Sequence, residues 1–124
     1  HSAVGAEFTV GLTVTGLLPG GRAPVRKTGL GPGQALVLTK PLGTGLVLAA
    51  AMAGAPAPGL VWGEAVEAAF AAMLRPLAAE AAVLRGVATA MTDVTGFGLA
   101  GHLLEMLGPE TGAEVDLSAL PVLP

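Results

Sequence analysis

The sequence predicts an α/β (α+β) domain in which helices pack on a mixed sheet. Segments with the alternating pattern of strands and segments with helical spacing follow one another along the chain. Apolar residues make up 52% of the 124 residues and charged residues 12%, which is typical of a chain that buries a core. Aromatic residues amount to only 3%, so Ala, Val and Leu must build that core.

The first predicted element is a half-buried strand over residues 7–18. Its apolar side chains alternate with threonines, the pattern of a strand with one buried face. Residues 22–34 are basic and rich in glycine, and they predict a connector between two domains. Residues 35–39 are all apolar except for the closing Thr39, and they predict a second strand.

Helices dominate the middle of the chain. Residues 46–53 predict a first helix, after a glycine-containing turn at residues 40–45. Residues 62–85 have apolar side chains at helical spacing, and Pro76 within them predicts a kink or two abutting helices. A strand, a helix and a last strand are then predicted at residues 86–91, 99–107 and 113–117. Residues 120–124 have no predicted partner.

Composition excludes several classes of function. The net charge of −3 leaves no basic patch, so we expect no binding to nucleic acid. Residues 41–63 carry no charge, but three prolines and five glycines interrupt them, so we expect no membrane span. The lack of cysteine removes disulfides and thiolate sites and is compatible with the cytoplasmic location that we expect. The chain starts without Met or a signal segment, so we expect a piece of a longer protein.

Residues 91–102 gather an acid, hydroxyls, glycines and a histidine between two apolar segments. Asp93 follows the predicted strand 86–91, where a carboxylate is well placed as a Mg²⁺ ligand that also meets substrate phosphates. Thr92 and Thr95 can fix that carboxylate or hold metal-bound waters. A structural alternative is that Asp93 only caps the helix that follows.

The same glycines permit a second interpretation. Gly96, Gly98 and Gly101 match the G-x-G-x-x-G pattern of dinucleotide-binding Rossmann units, between a predicted strand and a predicted helix. Asp116 lies about 20 residues further on, where such a unit has its ribose-binding acid. A Rossmann-like module is therefore an alternative function, although one glycine fingerprint alone is weak support.

Two segments resemble selenophosphate synthetase (selenide, water dikinase), in the aminoimidazole ribonucleotide synthetase-like superfamily. Residues 90–103 are similar to the family signature A-T-D-V-T-G-F-G-L-L-G-H-L, and residues 38–45 to L-T-K-P-L-G-T-G. His1 and Ser2 resemble the end of a G-G-H-S segment, and residues 11–16 resemble G-L-A-V-T-G. The resemblance covers essentially the whole chain in order.

The resemblance implies an enzyme that converts selenide, ATP and water to selenophosphate, AMP and phosphate, with Mg²⁺ and a monovalent cation. It implies that Asp93 binds the metal and that His1 and Ser2 contact ATP. Residues 1–21 would end an N-terminal ATP-binding and dimerisation domain, and residues 22–34 would be the connector. Residues 35–124 would be the first part of the aminoimidazole ribonucleotide synthetase-like C-terminal domain. A homodimer is the implied assembly.

The family's catalytic Cys or selenocysteine, its nearby Lys, its glycine-rich loop and its other metal-binding aspartates would all precede His1. No catalytic residue is therefore expected in this chain, and the chain alone is expected to be inactive. Leu77, after Pro76, stands where the family often has an Asn, which is a departure from its pattern. A third hypothesis is a non-catalytic dimerisation or scaffold module.

Four other residues are candidates with structural alternatives. Lys40 could approach a phosphate, or be a solvated lysine. His102 and Glu105 have an i, i+3 spacing that metal sites use, and that surface pairs use more often. Trp62 is expected to anchor a core or an interface. The basic residues of the connector are expected to be solvated.

Overall fold

The computed structural model describes residues 10–59 and 61–123, and in them helices dominate. Helix α1 is Thr44–Met52, α2 is Trp62–Leu74, α3 is Ala78–Leu84 and α4 is Gly98–Met106. Two short 3-10 helices lie at Pro19–Gly21 and Leu117–Ala119. The predicted helices are thus all present, each within about two residues of its expected bounds, and the 62–85 region is split as Pro76 predicted.

Helices α1 and α2 pack against each other as a hairpin. The left-handed conformation of Gly43 (φ 117°) turns the chain into α1. At the other end, the indole Nε1 of Trp62 donates a hydrogen bond to the carbonyl of Ala55, 3.0 Å away, which closes the connection between the helices. Ala65 and Ala69, one turn apart on α2, are buried, so small side chains let the two helices approach. Trp62 was expected to anchor a core or an interface, and it is half-buried and fixes the connection between the two helices.

The break between α2 and α3 has a clear local cause. Pro76 lacks a backbone N–H and disfavours a helical conformation in the residue before it. Arg75 is accordingly extended (φ −65°, ψ 118°) and ends α2. Its guanidinium donates to the carbonyl of Thr39 and forms an ion pair with Glu80 of α3. Arg75 therefore joins both helices to the chain before α1.

The predicted mixed sheet is wrong for the residues that the structure describes. Their only β-pairing is one parallel bridge between Leu42 and Val122. The N–H of Leu42 donates to the carbonyl of Pro121 (2.8 Å), and the N–H of Leu123 donates to that of Leu42 (2.9 Å). The expectation that residues 120–124 have no partner is corrected as well, since Val122 pairs with Leu42.

The predicted strands lack neighbours to pair with. Residues 7–9 of the first strand lie outside the described residues, and residues 10–18 form no strand, with Leu12 90% and Val14 92% exposed. Residues 35–39 and 86–91 are irregular, and the segment 113–117 ends in the 3-10 helix Leu117–Ala119. An alternating pattern makes a segment able to pair, but a strand forms only where a second backbone accepts its hydrogen bonds.

The chain therefore leaves an unusually large surface uncovered. It exposes 9967 Å², whereas a folded monomer of 12.1 kDa exposes about 6,000 Å². Within the described part of the chain, only Ala65, Ala69 and His102 are buried. No described helix is both long and apolar enough to cross a bilayer.

Candidate functional site

An open cleft of about 2310 Å³ lies between the extended segments and the helices. Residues 38–45 and most of residues 91–99 line it, so the two segments singled out in the sequence face the same space. Ligand pockets usually measure about 300–1,000 Å³. The cleft is thus larger than a small molecule needs, so its size does not indicate a ligand.

Residues 92–97, here called the Asp93 loop, lead directly into α4. The N–H of Gly98 donates to the carbonyl of Thr95 (2.9 Å), which makes the tight turn at the end of the loop. Gly98 has a positive φ of 67°, a conformation that suits glycine. A Cβ at Gly101 would lie 2.7 Å from Cβ of Phe97, so the loop folds back closely onto the first turn of α4.

Asp93 lies on the cleft and its side chain is exposed. The N-cap position of α4 is occupied by Phe97 without any side-chain cap, so the alternative that Asp93 caps this helix is wrong. Within the described residues the Asp93 carboxylate accepts no hydrogen bond and forms no ion pair. The carboxylate is therefore available to an external ligand.

Both threonines flanking Asp93 lie in the loop, but they differ in their contacts. The Thr92 hydroxyl has only a long contact of 3.4 Å to the backbone carbonyl of Asp93. The Thr95 hydroxyl lies 3.1 Å from Nε2 of His102. Thr95 therefore holds the loop against α4, and it does not fix the carboxylate directly as we expected.

His102 is the one buried polar residue among those described, with 7% of its surface exposed. Its ring lies 5.8 Å from the Phe97 ring, tilted by 47°, and its Nδ1 lies 3.5 Å from Oε2 of Glu105. Glu105 in turn pairs with Nζ of Lys27 at 3.2 Å. The interpretation of His102 and Glu105 as a pair on one helix face is thus correct, although His102 is buried rather than on the surface.

The contacts of Lys27 and Arg75 were not predicted from the sequence. Lys27 is exposed, as expected for the connector, and it also pairs with Glu105 across 78 residues of sequence. The backbone supports this approach, since the N–H of Met91 donates to the carbonyl of Arg26 (2.9 Å). No spacing rule could have found the contacts of Lys27 with Glu105 or of Arg75 with Thr39, because these partners are 78 and 36 residues apart.

Lys40 lies on the cleft, half-buried, and donates to the carbonyl of Met73 at the end of α2, 3.4 Å away. The Lys40 ammonium is therefore partly solvated, and its hydrogen bond to Met73 is weak because a contact of this length is long. Close by, a hydrogen bond from the backbone N–H of Glu80, and next the Arg75 guanidinium, lower the pKa of Glu80 below its usual 4.5. That pair keeps the carboxylate charged beside the Lys40 segment.

The donor set fits Mg²⁺ only as part of a larger site. No cluster of three or more His, Asp or Glu side chains able to hold a metal occurs among the described residues. Mg²⁺ in nucleotide sites, however, takes one or two carboxylates together with substrate phosphates and waters. The single exposed carboxylate of Asp93 fits that role. His1 and Ser2, predicted to contact ATP, lie outside the described residues.

The Rossmann interpretation gains no support from the geometry. Oδ1 of Asp116, its predicted ribose ligand, accepts hydrogen bonds from the backbone N–H (2.9 Å) and hydroxyl (2.7 Å) of Ser118. These bonds, that of the hydroxyl first, lower the pKa of Asp116 below 3.8. Asp116 thus caps the 3-10 helix, and Gly101 serves the close approach of Phe97 within its own turn.

The structure thus defines a helix-rich domain with an exposed carboxylate on an open cleft. Residues 31–124 match the family described as AIR synthase related protein, C-terminal domain. The match covers most of the chain, and the chain belongs to this family. This match confirms the predicted C-terminal domain of the family. The mixed sheet that was predicted for this domain is not confirmed.

The chain is also similar to individual proteins of one name. The chain is 45% identical over 124 residues to selenide, water dikinase of Geobacter metallireducens, covering 99% of the chain and 35% of the relative. The protein of that name from Citrifermentans bemidjiense is 41% identical over 127 residues, covering 100% and 35%. That of Aeromonas hydrophila is 44% identical over 126 residues, covering 99% and 34%. These matches confirm the resemblance stated above.

The chain spans about a third of the length of these relatives. No solved structure matches it.

Proposed function

We propose that this chain is part of an ATP-dependent selenophosphate synthetase, in which Asp93 supplies a carboxylate to the Mg²⁺ of bound Mg-ATP. The observation that carries the proposal is the exposed Asp93 carboxylate on the cleft, with no cap or ion pair to occupy it among the described residues. The similarity to selenide, water dikinases over essentially the whole chain supports the choice of reaction. Selenide, ATP and water would give selenophosphate, AMP and phosphate.

Each residue has a defined part in this proposal. Mg²⁺, when bound, neutralises charge on the phosphates that are transferred, and phosphoryl transfer depends mostly on such positioning and neutralisation. Asp93 would hold the metal from one side, and the open backbone at Gly96 leaves room for the nucleotide. Lys40 lines the same cleft and could turn from the Met73 carbonyl towards a phosphate oxygen. His1 and Ser2 would contact ATP.

The remaining parts of the site would come from outside this chain. We propose that residues 1–21 end an N-terminal ATP-binding domain, that residues 22–34 connect, and that residues 35–124 begin the C-terminal domain. The chain contains no catalytic residue on this account and is inactive alone. A monovalent cation, a homodimer and a cytoplasmic location are further proposals that the family resemblance supports.

The direct test uses the full-length protein with selenide, ATP and Mg²⁺. We expect ³¹P NMR to show selenophosphate and phosphate while AMP accumulates in equal amount. The chain of residues 1–124, assayed in parallel, should form none. Binding of NADH together with indifference to Mg-ATP would overturn the proposal in favour of the Rossmann alternative.

The sequence that precedes His1 distinguishes the enzyme from the scaffold alternative. The gene region that precedes His1 should encode a Cys or selenocysteine closely followed by Lys, and further aspartates. Their absence, with no AMP formed, would favour a non-catalytic dimerisation module.

A further inference from the structure

We propose that His102 is a positioning residue: it anchors the Asp93 loop to α4 through the Thr95 hydroxyl and so fixes where the Asp93 carboxylate stands. The inference rests on the proposed function for its consequence in metal binding. Its structural part, the anchoring of the loop, is independent of the reaction catalysed.

The burial of His102 indicates a polar function. His102 is 93% buried, yet burying an imidazole costs free energy unless both ring nitrogens find partners. A leucine would fill the same place at lower cost on this helix, which already contains three leucines. A histidine there needs a polar function, and Nε2 has one in its contact with the Thr95 hydroxyl at 3.1 Å. The buried Nδ1 has no hydrogen-bond partner among the described residues, and the Glu105 carboxylate lies 3.5 Å away from it.

The two ring nitrogens define the direction of the hydrogen bonds. Nδ1 faces Oε2 of Glu105 at 3.5 Å and has no hydrogen-bond acceptor closer among the described residues. A carboxylate only accepts, so we infer the tautomer that carries the proton on Nδ1, the nitrogen nearest to Glu105. In a neutral ring Nε2 is then an acceptor, and the Thr95 hydroxyl, 3.1 Å away, must be the donor.

Contacts on both sides of the turn make this bond an anchor for the loop. Thr95 follows Asp93 by two residues, and its carbonyl accepts the hydrogen bond from the N–H of Gly98. The His102 ring also stacks at a tilt against Phe97. His102 therefore contacts the loop at Thr95 and Phe97, and losing it would free the segment that carries Asp93.

Lys27 contributes less than His102 to the position of the Asp93 loop. Its ion pair with Glu105 is exposed, with 56% of the Lys27 side chain accessible. Such pairs contribute little to stability. Glu105 nevertheless favours the proton on Nδ1 of His102. Lys27 therefore affects the loop only indirectly, through its ion pair with Glu105.

The test measures hydrogen exchange of the Gly98 amide, which reports on the turn, in the full-length protein. His102→Phe keeps a ring but removes both nitrogens, and Thr95→Val keeps the shape but removes the hydroxyl. Each should speed exchange of this amide by about 3- to 10-fold, the effect of losing one hydrogen bond. Thr95→Ser and His102→Gln, which retain polar partners, should restore most of the protection.

Two further measurements sharpen the result. The double variant His102→Phe with Thr95→Val should exchange no faster than the faster single variant, because both remove one bond. ¹⁵N NMR of the His102 ring should show the proton on Nδ1. Trp62→Phe, which removes a hydrogen bond distant from the loop, is the matched control and should leave exchange of Gly98 relative to α4 unchanged.

The metal readout links the anchor to Asp93. The Mg²⁺ concentration that gives half-maximal ATP binding should rise about 3- to 10-fold in His102→Phe. Unchanged Gly98 exchange in His102→Phe, or additive effects in the double variant, would overturn the anchor. Predicted exchange effects without any Mg-ATP binding in the wild type would instead leave the anchor standing and overturn the proposed function.

Discussion

The hydroxyl of Thr95 lies 3.1 Å from Nε2 of His102, which joins the loop carrying Asp93 to the buried side of α4. Glu105, whose carboxylate lies near the same imidazole, pairs with Lys27 across 78 residues of sequence. The exposed carboxylate of Asp93 is thus carried by a loop with defined support. Such support matters because a metal ligand on an unsupported loop loses binding free energy in being ordered.

Replacing Gly101 by Ala should destabilise the protein. The new Cβ would lie 2.7 Å from Cβ of Phe97, an atom too close to the backbone to move freely. Overpacking of this kind costs about 1–3 kcal/mol, and the better helix propensity of Ala returns about 1 kcal/mol. We expect a lower Tm in thermal unfolding of the full-length protein.

Gly63→Ala is the matched control, because a Cβ on Gly63 of α2 would meet nothing within 4 Å. It should leave Tm unchanged or raise it slightly. A Gly101→Ala variant at least as stable as Gly63→Ala would contradict the close packing of Phe97 on α4.

Trp62→Phe should weaken the α1–α2 hairpin. The variant keeps a ring but leaves the Ala55 carbonyl without its indole donor. A hydrogen bond of this kind contributes about 0.5–1.5 kcal/mol, and the smaller ring packs less area. Urea unfolding should show a midpoint lowered accordingly, and an unchanged midpoint would mean that the bond contributes nothing to stability.

The capping carboxylate of Asp116 predicts a pH dependence. Because its pKa is lowered below 3.8 in the folded protein, first by the Ser118 hydroxyl, its stabilisation is fully present above that pH. It is lost as the pH falls through the lower, folded value. Between pH 7 and pH 3, the urea midpoint of the wild type should therefore fall more than that of Ser118→Ala.

Ser118→Thr keeps the hydroxyl and should follow the wild type in this comparison. Parallel pH curves for the wild type and Ser118→Ala would show that this hydroxyl does not lower the pKa of Asp116.

The helices could be predicted from sequence because their signals are local. Pro76 divides α2 from α3 by its own covalent structure, and the apolar spacing of α2 needs no distant partner to be recognised. Strands differ, because residues 10–18 and 35–39 have the right pattern but lack a paired backbone in the described chain. The residue pattern indicates that a segment is able to form a strand. The strand itself forms only when a neighbouring backbone is present to pair with it.

The site was predictable only in part for the same reason. Asp93 was predicted as a site residue from its setting among glycines and hydroxyls, and the structure places it on the cleft with Phe97, not Asp93, at the helix cap. The burial of His102 and the approach of Lys27 depend on tertiary contacts across the chain. Spacing within α4 indicated that His102 and Glu105 share a face, but not that this face is covered.

Calorimetric titration of the full-length protein with ATP tests whether Asp93 is a ligand of Mg²⁺. With Mg²⁺ present, Asp93→Asn should weaken ATP binding by about tenfold or more, a loss within the range seen when metal sites lose a supporting group. Without Mg²⁺, the variant and the wild type should bind ATP equally. Asp116→Asn, the same substitution at the capping carboxylate, should match the wild type in both conditions. Equal Mg²⁺-dependent affinity in Asp93→Asn and the wild type would contradict the account.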